Sequence, residues 1–193
     1  MLEDFALRYF DASLTRLALL SWLIIVAGGV VGWLMPQRVT GITRAPYFAI
    51  KGALVLALAQ ISHIAMQMTV PSLLGEYYWA VLAMQVAGLF VFGFIAVRLA
   101  AARSRDAFGH GNLALLCLVP LLSLILIFKG SRGDPALRQI GNRSLLTGEM
   151  GAFVGGFLMV LSVALNNYVQ KEQARRLAQA DQDHWLEGDF LRF

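Results

Sequence analysis

Cysteine is almost missing: Cys117 is the only one in 193 residues. No internal disulfide can form, and no cysteine cluster can hold zinc. Charge is scarce as well. Only 15% of residues are Asp, Glu, Lys or Arg, against about 25% in a soluble domain. No charge at all falls between Lys51 and Glu76. The acidic residues sit mostly at the termini and in loops, which leaves no basis for a paired-carboxylate active site. The zinc-protease HExxH pattern, the P-loop and a well-placed dinucleotide fingerprint are absent. Gly148-Glu149-Met150-Gly151-Ala152 has the shape of a Gly-x-Ser-Gly setting but no serine at the nucleophile position. The expectation is a protein that is not an enzyme.

What is present is apolar: 58% of the residues, with a mean hydropathy of +0.65. The charges cluster between long apolar runs, without the polar–apolar alternation of a membrane β-barrel. The fold class is therefore all-α, a polytopic helical membrane protein. The net charge is +4. Loop Lys and Arg facing the cytoplasm and anionic lipid account for it. No basic stretch is interleaved with exposed aromatics, so nucleic acid is not an expected partner.

Five hydrophobic segments follow from the runs, at about 17–35, 52–74, 78–97, 113–128 and 150–168. Residues 1–16 precede them as a short amphipathic interfacial helix, with Leu2, Phe5, Ala6, Tyr9, Phe10 and Leu14 at helical spacing. Glu3, Asp4 and Asp11 stand where a signal peptide carries a basic start, so this end is read as mature. Residues 171–193 form a polar helical tail with an apolar tip, Trp185, Leu186, Phe190, Leu191 and Phe193. The fourth segment is short and carries Pro120 at its centre. It either spans by borrowing residues 109–112 or bends at the proline and re-enters on the same side, and spanning is preferred. Counting Lys and Arg puts the N-terminus outside in either case, while the side of the tail stays open.

The second segment organises the rest. Gln60, His63 and Gln67 recur at spacings of three and four, so one helix face carries all three. Polar groups at membrane depth need a partner, and the expectation is that this face looks inward, at other helices or a cavity. Gln85 on the third segment brings a further amide into the membrane. His63 with Met66 and Met68 could also ligate haem or copper, types those side chains serve, although no cofactor is expected outright. Gly28 and Gly32, and again Gly151 and Gly155, form GxxxG pairs that would let neighbouring helices approach closely. Arg98, Arg103, Arg105, Lys129 and Arg132 would make a basic ring for phospholipid headgroups or an acidic partner if the fourth segment folds back. Ordinary positive-inside residues are the plainer reading.

Within residues 97–135, Arg98-Leu99, Asp106, Gly109, Gly111, Pro120, Lys129-Gly130 and Gly133 occur in that order. The stretch resembles part of a family of small bacterial inner-membrane proteins with no assigned activity. In that family a helix ends in an Arg-Arg-Leu-His-Asp type motif, followed by a Gly-rich turn, a short Pro-containing helix and a Gly/Pro exit. Tyr9-Phe10-Asp11 is similar too. The His-Asp pair is missing here and the second segment is extra. The resemblance implies topology alone.

Three functions remain open from the sequence. The first is a non-catalytic membrane subunit or assembly factor of a larger complex, acting through helix packing. The second is a small channel or transporter with a polar path along the second segment. The third is a haem- or quinone-binding electron-transfer subunit.

Overall fold

A computed structural model describes residues 14–36, 40–74, 77–132, 138–139 and 148–190. The amphipathic stretch expected at 1–16 lies almost wholly outside these residues. Helix α1 covers Leu14–Leu34, α2 Arg44–Leu74, α3 Tyr78–Phe108, α4 Pro120–Phe128 and α5 Gly148–Phe190. A 3-10 helix, Asn112–Leu118, precedes α4. Two-residue strands β1 (Thr40–Gly41) and β2 (Arg138–Gln139) pair in parallel, Thr40 opposite Arg138.

Four helices are long and apolar enough to cross a membrane: Thr15–Leu34, Arg44–Ala65, Tyr78–Phe108 and Gly148–Val169. This is consistent with an integral membrane protein. Their outer surfaces fit that reading, since Phe153 and Val160 on α5 are each 70% exposed. In water such a patch would drive association; in a bilayer it meets acyl chains.

The 113–128 segment is not among the four. Val119 is extended, with φ −102° and ψ 116°, and breaks it into the 3-10 helix and the nine-residue α4. Nine residues give about 14 Å of helix, half of a hydrocarbon core of about 30 Å. Pro120 starts α4, where its missing N–H costs no helical bond. The proline therefore stands at a helix start rather than inside a continuous helix.

Two boundaries also differ from expectation. Helix α2 begins at Arg44, so Lys51 lies inside a helix and not in a loop. Its ammonium donates to Ser123 Oγ of α4 at 2.9 Å, which gives this half-buried charge a partner within the fold. Helix α3 continues past Val97 to Phe108, carrying Arg98, Arg103 and Arg105 on helical turns. Its 31 residues reach about 46 Å.

Glycines set the helix pairing. Gly28 of α1 faces the carbonyl of Phe90, Gly32 that of Phe94, and Gly93 of α3 returns the contact to Ile25. Positions advance together along both chains, so α1 and α3 run parallel. On the other side Gly52 of α2 lies against Gly155 of α5, and His63 against Tyr168 further along. Those two helices are parallel too, while α2 and α3 form an antiparallel hairpin. Two hydroxyls within the apolar helices are satisfied locally: Ser62 Oγ donates to Leu58 O and Ser162 Oγ to Leu158 O, four residues back, as in apolar helices without water.

Candidate functional site

Among the described residues, two polar regions are set among apolar helices. The first is centred on Arg103, which is fully buried beside the equally buried Asp106. Its Nη1 donates to Asp106 Oδ2 at 2.5 Å and to Ser131 Oγ at 3.0 Å, with a longer approach of 3.5 Å to Ile42 O. Its Nε donates to Leu126 O at 2.8 Å, and its Nη2 to Lys129 O. The last carbonyls of a helix have no partner within it. One guanidinium thus caps the C-terminal end of α4, anchors the entry to α2 and holds the chain after α4. Asp106 contributes its backbone as well, accepting from Arg132 N at 2.9 Å.

Small residues make this enclosure sterically feasible. Ala100, Ala101, Ala102, Ser104 and Ala107 are all buried, so most of the surface at the end of α3 is covered. Ile42, Tyr47, Ala114 and Leu126 complete the cluster from the α1–α2 connection, α2, the 3-10 helix and α4. Gly109 ends α3 with φ +86°, a left-handed conformation that glycine adopts without a Cβ penalty. The turn is closed by Ser104 Oγ donating to His110 O at 2.7 Å.

Arg103 is accordingly a correction to the expected basic ring. The carbonyls and Asp106 that surround it use its donors, and it offers none to a headgroup. Arg98 is half-buried, with Nη2 on Pro36 O at 3.2 Å. Arg105 is half-buried and partnered. Lys129 and Arg132 are exposed, Lys129 with its ammonium 5.8 Å from the Phe108 ring centre. All five lie at the same end of the bundle.

The second region is the α2 stripe, and here too the expectation of an inward face is corrected. Gln60 and Gln67 are exposed, and only His63 is half-buried. Gln67 Nε2 sits 3.0 Å from His63 Nε2. The imidazole lies 6.1 Å from the Tyr168 ring of α5, centre to centre. Its Nδ1 is buried without a hydrogen-bond partner. Gln85 is half-buried on α3 and makes no hydrogen bond to the other three among the described residues. The reason is angular. Ile61 and Ala65 point at α3, and Phe48, Ala49 and Gly52 pack on α5. The remaining arc, Ala53, Ala57, Gln60, Ile64 and Gln67, is left outside.

The side chain of Met66 lies outside the described residues, and Met68 is exposed. Among the described residues no group of three or more His, Cys, Asp or Glu could hold a metal ion. Gly28, Gly32, Gly151 and Gly155 are all buried, the first two against α3 and Gly155 against Phe48 and Ala49 of α2.

No family model, no curated protein and no solved structure matches the chain.

The Arg103–Asp106 centre was not singled out from the sequence. A signal was there: an arginine and an aspartate three apart, flanked by Ala100-Ala101-Ala102 and Ala107. A helix whose every face is small is one that other chain segments enclose, and charges in it then need internal partners.

Proposed function

We propose that this protein is a non-catalytic integral membrane subunit that docks the outward face of α2 against a transmembrane helix of another subunit. The composition of that face carries the reading. Ala53 and Ala57 are exposed and four residues apart, followed by exposed Gln60, Ile64 and Gln67. Small residues permit close helix approach, and amides supply interhelical hydrogen bonds worth about 0.6 to 2 kcal/mol in membranes. A face meant only for lipid has no need of either.

A solute path along α2 has less support, because the two glutamines lie on the outer surface of a single copy rather than between its helices. A haem or copper role for His63 also has less support. Nε2 already meets Gln67, and Nδ1 lacks the orienting acceptor that metal-bound histidines use.

The topology belongs to the same proposal. The 112–128 piece enters and leaves the membrane on one face, since its start lies beside Arg105 and its end is held by Arg103. That face carries Arg44, Arg98, Arg103, Arg105, Lys129 and Arg132 and is cytoplasmic by the positive-inside rule. Both the start of α1 and the far end of α5 are then outside. The proposed setting is a bacterial inner membrane.

Purification in a mild detergent tests the function. The native protein should elute with a stoichiometric membrane partner, and Gln60→Leu with Gln67→Leu should elute without it. A partner-free wild type, or a double variant that keeps the partner, defeats the reading. Cysteines placed at Asn112 and Gly130 in a Cys117→Ser background test the topology: both should react with an impermeant maleimide from the same side.

A further inference from the structure

A groove of about 340 Å³ opens on the surface between α2, α4 and α5 at the basic end of the bundle. Ala45, Phe48, Leu124, Ile127, Phe128 and Ala152 line it with almost entirely apolar surface, and Arg44 stands at its edge. Phe128 is 71% exposed at the rim. Arg44 is the first residue of α2 and exposed, so by helix rise Phe48 lies about 6 Å further along α2. This places a cation at the first residue of a candidate membrane span, beside an apolar slot.

Arg44 has no ion-pair partner among the described residues. Asp106 is taken by Arg103. Glu149, exposed on the first turn of α5 one turn before Ala152, forms no salt bridge with it. Lys129 and Arg132 add exposed positive charge at the same end.

We propose that this groove holds an acyl chain of one anionic phospholipid, with its phosphate bound by Arg44. Charge and shape together select this occupant. The apolar lining suits hydrocarbon, and the Arg44 guanidinium, without an ion-pair partner among the described residues, offers the forked donor geometry that phosphate accepts. A zwitterionic lipid would fill the slot equally but would gain less from the local positive field. The site is remote from the Gln60–Gln67 face and stands whether or not that face has a protein partner.

The test is native mass spectrometry of the detergent-purified chain titrated with phosphatidylglycerol and phosphatidylcholine of matched chains. Wild type should retain phosphatidylglycerol preferentially. Arg44→Gln should lower that preference roughly fivefold, the ratio corresponding to about 1 kcal/mol for a basic residue at a membrane surface. Arg132→Gln should lower it less. Ala152→Trp, at an exposed position inside the slot, should reduce retention of both lipids, and Leu124→Trp repeats this from α4 should the first variant misfold. Equal retention of the two lipids by wild type overturns the proposal. So does an unchanged preference in Arg44→Gln, an Arg132→Gln effect as large as that of Arg44→Gln, or full retention in the slot-filling variants.

Discussion

The two polar regions solve one problem in opposite ways. Around Arg103 the chain itself supplies a carboxylate, a hydroxyl and carbonyls from two separate segments. Around Gln60 and Gln67 it supplies almost nothing, and the amides face outward from an apolar helix. The first arrangement is complete within one copy and so is a matter of folding. The second is incomplete within one copy, and the proposed association is what would complete it. A residue's polarity at membrane depth does not say which of the two it serves; the location of its partners does.

Removing the closed centre should produce the largest effect. Arg103→Leu leaves Asp106 buried and the end of α4 uncapped, and breaking such a pair typically costs about 3–5 kcal/mol. Thermal unfolding in detergent should show a large loss of stability. Adding Asp106→Leu should recover part of it, because the uncompensated carboxylate goes too. A single variant as stable as wild type would mean the centre does not hold these segments together, and the contrast would fail on its closed side.

Gly93 should come next. A side chain there would collide with the backbone of Ile25 on α1, and overpacking of this kind costs about 1–3 kcal/mol or more. Gly93→Leu should separate α1 from α3, seen as faster proteolysis of the α1–α2 connection. Lys51→Met should be milder, about 1 kcal/mol, since it removes one half-buried hydrogen bond to Ser123. If Lys51→Met proved as damaging as Arg103→Leu, α4 would be held mainly from α2 and not from α3.

Much of the architecture could be read from hydropathy alone. The four apolar helices coincide broadly with the runs at 17–35, 52–74, 78–97 and 150–168, because about 20 apolar residues is a strong, local signal. The fourth run reads two ways for a physical reason. Its composition is as apolar as a span, yet its geometry is set by Val119, by Pro120 and by an arginine that precedes Val119 by 16 residues in the chain. Arg103 was legible as a charge but not as a cap, because its acceptors are backbone carbonyls that no side-chain pattern reveals. The α2 stripe was legible as a face. Which way the face points depends on where α3 and α5 pack, and that is decided by Gly52, Ile61, Ala65 and Gly155 rather than by the glutamines themselves.

The smallest expected effect on the single chain is at the open region, and it completes the contrast. Gln60→Leu with Gln67→Leu changes two exposed side chains, and exposed substitutions of this kind usually stay within about 0.5 kcal/mol. The monomer should therefore unfold at nearly the wild-type temperature, the hydrogen bond lost among the described residues being that of Gln67 with His63. Ala57→Leu, on the same arc, should also leave the monomer intact while keeping a neighbouring helix at a distance. A pronounced drop in monomer stability in either variant would mean that the arc is already partnered within the chain. The distinction between a region finished by folding and one left for a partner would then be lost, since both would be folding devices.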